Sequence, residues 1–172
     1  MSLKRQRLRF SFSFFLAAGM LFAVATSATL RPFVDGFTVM LAKISAEVIH
    51  AGGGACLRTG AVLAKPDYTF AMEIRDGCNG INVVILLWAA ILAYPAPWLL
   101  RAAGLLFALT GIQAANLARV ISLYYIGQYS ASLFDFAHHY LWETLIILDG
   151  IVVFGIWSKL VMRRKVNAEA PR

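Results

Sequence analysis

The sequence predicts an all-α polytopic membrane protein, and three observations carry that reading. The 172-residue chain is 60% hydrophobic and only 15% charged, with a mean hydropathy of +0.70. Soluble domains run nearer about 45–50% apolar and about 25% charged. Its apolar residues fall in runs that match the roughly 20 residues a spanning helix needs, and its basic residues cluster beside those runs.

Taken in order, the first span covers residues 10–30 without a charge, behind Lys4, Arg5, Arg7 and Arg9. A signal peptide begins the same way, and the small residues from Ala25 to Ala28 resemble a cleavage site. The apolar run, however, exceeds the about 7–15 residues of such a segment, so a retained helix is expected. The second span covers residues 79–94 and ends at Pro95 and Pro97, which do not continue a helix. The third, residues 98–126, holds Arg101 near its start and Arg119 inside. The fourth, residues 137–161, holds Glu143 and Asp149. That makes about four transmembrane helices in one integral membrane domain, residues 1–172.

The loop of residues 31–77 has a pattern of its own. Phe37, Leu41, Ile44 and Val48 recur at helical spacing, as in an amphipathic segment lying on a membrane. Gly52-Gly53-Gly54 ends it. Tyr68, Phe70, Met72 and Ile74 then alternate with Asp67, Thr69, Ala71 and Glu73, a strand pattern. With residues 57–63, and Lys65-Pro66-Asp67 as the turn, this predicts a short β-hairpin leading into Asp76-Gly77-Cys78. Trp88, Trp98, Trp142 and the tyrosines near Tyr124 read as an interfacial belt. Gly111, Ala114 and Ala115 read as sites of close helix packing.

The net charge of +7 comes without a nucleic-acid motif, so it reads as topology and contact with anionic membrane lipid. Lys4, Arg5, Arg7, Arg9, Arg101, Lys159, Arg163, Arg164, Lys165 and Arg172 all fall on one side of a four-span arrangement. The basic residues of the long loop are balanced there by Asp35, Glu47, Asp67, Glu73 and Asp76. Positive-inside asymmetry therefore puts both termini and the short turn at residues 94–98 in the cytoplasm, and the two other loops outside.

The chemistry-bearing residues gather on that outer side. Cys78 lies at the mouth of the second span, where the unpaired N–H groups of a helix start favour thiolate. On its own it is equally a small residue at a turn. Arg119 sits about two turns below the outer end of the third span; an arginine costs about 2.5–3.5 kcal/mol at a helix centre and normally marks a bundle interior or wet cavity. His138 and His139 open the fourth. A thiol, a guanidinium and an imidazole from three helices are the parts cysteine acyl transfer requires. Asn116, one turn before Arg119, Glu143, four residues after His139, and Asp149, eleven after His138, are supporting candidates. Either acid could orient an imidazole, pair with Arg119, or serve only in helix packing. The two cysteines, Cys56 and Cys78, permit one disulfide and have no zinc spacing; no metal or cofactor is expected. A non-catalytic assembly or export factor and a thiol-redox protein using both cysteines are the competing readings.

Asp76-Gly77-Cys78-Asn79-Gly80-Ile81, Asn116-Leu117-Ala118-Arg119-Val120 and Ala137-His138-His139-Tyr140-Leu141-Trp142 together resemble the exosortase/archaeosortase family of membrane transpeptidase-like enzymes. The similarity runs over about residues 53–154, and the short chain is similar to a compact exosortase H-type member. The resemblance implies Cys78, Arg119 and His138 as the catalytic group, with His139 in reserve. Two departures stand out: Asn79 follows the cysteine where many members have serine, and Trp142 lies four residues after His138 where many have glycine. The implied substrate is an exported protein with a C-terminal sorting signal, made of a short motif, a membrane helix and a basic tail. The implied location is the outer, periplasmic face of a bacterial inner membrane. The acceptor of the acyl group is left open between water and another nucleophile.

Overall fold

A computed structural model describes residues 3–169. Arg172, one of the predicted basic-tail residues, lies outside the described residues, as do the side chains of Lys4 and Lys165. The chain is mostly helical, with one small sheet: α1 (Leu3–Ala25), α2 (Arg31–Ala51), β1 (Leu57–Thr59), β2 (Val62–Ala64), β3 (Ala71–Glu73), α3 (Ile81–Ala93), α4 (Trp98–Tyr129), α5 (Ala131–Phe136), a π-helical turn (Ala137–Leu141) and α6 (Trp142–Glu169).

Among the described residues, three segments are long and apolar enough to cross a membrane: Arg7–Ala25, Trp98–Tyr129 and Ala131–Arg164. The second predicted span is shorter than expected. Its helix, Ile81–Ala93, has 13 residues and measures about 20 Å at 1.5 Å per residue, less than the about 30 Å of a hydrocarbon core. Residues 75–80 are taken by turns instead of helix, and Pro95 and Pro97 close the other end. There Arg101 donates from Nε and Nη2 to the Tyr94 carbonyl at 3.2 and 3.0 Å, closing the α3–α4 turn.

The first helix also stops short of its predicted end. The hydroxyls of Thr26 and Ser27 donate to the carbonyls of Phe22 and Val24 at 2.8 and 2.7 Å, which competes with helix continuation. Pro32 then occupies the first turn of α2, where its missing N–H is harmless.

α3 is the inner helix of the bundle, in contact with α1, α4 and α6. Val84, Leu87 and Ile91 from α3 meet Ala108 and Ile112 from α4 and Ile146, Val153, Trp157 and Val161 from α6. Gly111 admits the Val153 side chain, as the small-residue pattern predicts. The Trp157 indole crosses directly over Gly104 and donates to the Leu100 carbonyl at 2.9 Å. α1 covers α3 and leaves Leu8, Phe12, Phe15, Leu16 and Met20 exposed.

The loop region folds over one end of α4. Thr38, Leu41, Ala42, Ser45, Ala46 and Ile49 form the buried face of α2. Leu41 of the predicted stripe is buried there, while Ile44 and Val48 stay exposed, so the buried face is turned from the predicted one and pairs Leu41 and Ile49 with small residues. The expected hairpin is a three-stranded antiparallel meander, β1-β2-β3, with Leu57 opposite Ala64 and Leu63 opposite Met72. The Lys65-Pro66-Asp67 segment does turn the chain between β2 and β3. Asp67 accepts from the Thr69 N–H and hydroxyl at 3.1 and 2.7 Å and pairs with Lys65 at 2.8 Å. Tyr124 belongs here and not to an interfacial belt: it is 1% exposed, and its hydroxyl donates to the Ala55 carbonyl at 2.7 Å.

Candidate functional site

Cys78 closes a tight turn. Its N–H donates to the Arg75 carbonyl at 2.9 Å, and Gly77 takes φ +87° at the third position, a conformation that favours glycine. The Arg31 guanidinium holds Asp76 of this turn at 2.7 Å, tying it to the start of α2. Two residues on, Gly80 takes φ +76° and begins α3. A Cβ there would stand 3.0 Å from Gln113 Nε2 and 3.3 Å from Asn116 Cγ. Glycine is thus required twice over, by conformation and by the close approach of α4.

The half-buried Cys78 thiol meets two of the residues singled out by sequence. His138 Nε2 lies 3.2 Å from Sγ. Arg119 donates from Nη2 to the same sulfur at 3.8 Å, within reach of a weak bond to the large sulfur atom. Arg119 is 4% exposed and its Nε has no partner, so Cys78 is the recipient of a guanidinium that burial has separated from water.

His138 arrives by a route the sequence pattern does not show. The last helix begins at Ala131, not near 137, because Ser130 breaks the chain direction and accepts the Leu133 N–H at 3.4 Å. The histidines therefore lie inside the helix, in a π-helical turn. Such turns insert an extra residue into an α-helix and recur at functional sites. The His138 ring stacks on Phe134 at 5.7 Å with 3° between planes, and Phe134 in turn meets Phe70 edge-on at 5.8 Å.

The supporting candidates divide. His139 Nε2 is the group nearest His138 Nδ1, at 3.5 Å; His139 itself is exposed. Asn116 is fully buried under Gly80, with neither end of its amide paired. Glu143 is exposed, and among the described residues no ion pair joins it to Arg119. Asp149 is half-buried with an unpartnered Oδ2 and bonds neither histidine. A helix rises about 1.5 Å per residue, so eleven residues carry Asp149 far along the axis from His138 even on the same face. The predicted orienting acid is thus absent from the ring contacts among the described residues.

Cys56 and Cys78 are both free thiols. Cys56 is buried in the loop-region core, and His50 Nε2 lies 2.8 Å from its carbonyl. Among the described residues no group of three or more His, Cys, Asp or Glu side chains could hold a metal ion. Sequence reasoning passed over Thr38, Gln113 and Phe134, and singled out Asn79 only as a departure from the resembled pattern. Polarity inside an apolar helix could have flagged Gln113, and a spacing of four from His138 could have flagged Phe134.

Comparisons with curated proteins and with solved structures find no match. Residues 4–163 match the family model described as transmembrane exosortase (Exosortase_EpsH). That match runs from α1 through most of α6, takes in every element that meets at Cys78, and shows that the chain belongs to the transmembrane exosortase family.

Proposed function

We propose that the protein is a membrane cysteine peptidase with transpeptidase activity that processes the C-terminal sorting signals of exported proteins. The observation that carries this reading is the placement of Cys78 Sγ 3.2 Å from His138 Nε2 and 3.8 Å from Arg119 Nη2. Membership of the exosortase family supports it.

In this reading the Cys78 proton passes to His138 Nε2, and the thiolate attacks a backbone carbonyl of the sorting signal. The developing oxyanion is stabilised by the Arg119 guanidinium, which acts strongly because it is shielded from water. The tetrahedral intermediate collapses as His138 returns its proton to the leaving amine. The C–N bond breaks, the C-terminal fragment leaves, and a thioester joins the substrate to Cys78. An acceptor nucleophile, its proton taken by His138, then attacks the thioester and restores the thiol. An amine acceptor gives transfer; water gives hydrolysis.

The topology that suits this chemistry has four crossings, by α1, α3, α4 and α5–α6, in one integral membrane domain. The turns flanking α3 make up its missing length. Both termini then lie in the cytoplasm and Cys78 at the periplasmic face of a bacterial inner membrane. A substrate with a membrane helix and basic tail would present the outer end of that helix to the thiol.

The test is co-expression with a protein bearing such a signal. Cys78→Ala is expected to cut processing by at least about a thousandfold, as loss of a nucleophile does. Mass spectrometry of the new C-terminus reads the cleavage site and the acceptor. Intact processing in Cys78→Ala would exclude the catalytic reading.

A further inference from the structure

The residue after the candidate nucleophile is bonded to three separate parts of the chain. Asn79 is 2% exposed. Its Oδ1 accepts the Ile81 N–H at 3.1 Å, in the first turn of α3. Its Nδ2 donates to Thr38 Oγ1 on α2, also at 3.1 Å. Its carbonyl accepts Gln113 Nε2 from α4 at 3.2 Å. Thr38 spends its own hydroxyl proton on the Val34 carbonyl at 2.9 Å, so its oxygen is left to receive the Asn79 amide. Asn79 thus joins α2, α3 and α4 through side-chain or carbonyl bonds, one residue from the thiol.

The thiol itself has no such fixing. Its partners come from elements remote in sequence: Arg119 from α4 and His138 from the π-helical turn. Both contacts are short enough that a displacement of about 1 Å would break them, and misplacements of that size can lower turnover about a hundredfold. The turn before the thiol is closed by its own Cys78 N–H to Arg75 carbonyl bond and reaches α2 through the exposed Arg31–Asp76 pair, and exposed pairs hold geometry weakly.

We infer that Asn79 is the positioning residue of this site, with Thr38 and Gln113 as its anchors. Asn79 sets where Cys78 Sγ stands between His138 and Arg119, and does so without touching the reacting atoms. Its catalytic consequence rests on the peptidase reading; its geometric consequence does not.

The experiment uses the full-length protein in detergent on a Cys56→Ser background, so that Cys78 is the alkylated thiol. The rate of reaction with iodoacetamide is measured across pH for Thr38→Val, Gln113→Met and Asn79→Leu, each of which keeps the side chain's approximate shape and adds no charge. The charged and titratable groups that contact the thiol, Arg119 and His138, are left intact. Thr38→Val and Gln113→Met are expected to move the alkylation profile of Cys78 to higher pH. They are also expected to lower kcat on a sorting-signal substrate about tenfold or more, with KM held within about twofold. Thr38→Ser, which keeps the hydroxyl, restores both. Should Thr38→Val not fold, Gln113→Met and Asn79→Leu carry the test. An unshifted alkylation profile in the folded variants, with cleavage still dependent on Cys78, overturns the inference and leaves the peptidase reading standing. A shifted profile with cleavage indifferent to Cys78→Ala supports positioning and removes the peptidase reading.

Discussion

The two cores of this molecule are built by different rules, and α4 runs through both. The bundle core around Ile91, Ile112 and Trp157 is made of large aliphatic and aromatic side chains. Two of its indole N–H donors are capped by backbone: Trp88 to the Leu105 carbonyl and Trp157 to the Leu100 carbonyl, both at 2.9 Å. The core of the loop region sets the small Ala42 and Ala46 and the hydrogen-bonding Tyr124 among Leu41, Ile49, Leu63 and Ile74. Helices in lipid gain little from hydrophobic association and depend on close packing. A lid in contact with water gains from burial itself. Cys78, Asn79, Asn116 and Arg119 lie at the seam between the two. The thiol is therefore held by the bundle from below and by the lid from above.

That contrast can be broken from either side. The largest effect is expected from Trp157→Ala, which empties the centre of the bundle. It should cost about 3–5 kcal/mol, read as a lowered unfolding midpoint in detergent, with the alkylation of buried Cys56 unchanged until the whole protein unfolds. A rise in Cys56 alkylation well below that midpoint would mean the two cores are not separate.

Tyr124→Phe acts on the other side and less strongly. It removes the hydroxyl that serves the Ala55 and Ala64 carbonyls at 2.7 and 3.4 Å, a loss of about 1–3 kcal/mol. Local opening of the lid should then raise Cys56 alkylation while the bundle's unfolding midpoint moves little.

The smallest effect belongs to the sheet's edge. The Asp67 carboxyl is held down to about 2 from 3.8, chiefly by the Lys65 hydrogen bond and then by the Thr69 hydroxyl and N–H. A depressed carboxylate stabilises the fold above its unfolded value and loses that contribution as pH falls through its folded one. Protection of the Thr69 amide, corrected for intrinsic exchange, should therefore weaken as pH falls from 3.8 to about 2. Asp67→Asn should remove the pH dependence and leave both cores untouched.

Parts of this architecture are visible in the sequence for plain reasons. The runs before Thr26 and after Trp98 are long and apolar enough to form membrane-length helices. Lys65-Pro66-Asp67 carries its own turn chemistry, and an arginine at 119 inside such a run needs an internal partner. Other parts are not visible because they depend on contacts between distant segments. Asn79 comes from the turn before α3, Thr38 from α2 and Gln113 from α4, and they form one unit only after folding. Tyr124 has the composition of a belt residue, and only its hydroxyl's route to Ala55 makes it a core residue. Glu143 and Asp149 have suitable spacing for a histidine partner, yet the π-helical turn and the helix rise direct His138 to Cys78 and His139 instead.

By itself, the sequence determined that this chain forms long apolar helices, that basic residues cluster beside them, and that a thiol at Cys78, a guanidinium at Arg119 and imidazoles at His138 and His139 fall at or inside those runs. Those properties are local: hydropathy, charge and side-chain chemistry need no neighbour to be read. Only the tertiary structure decided that the three groups meet at one sulfur and that the second apolar run forms a short inner helix. It also decided that the thiol's turn is anchored through Asn79. Each of these depends on which faces of α2, α4 and the last helix pack together, and packing is settled by shape and by polar groups finding partners across the fold.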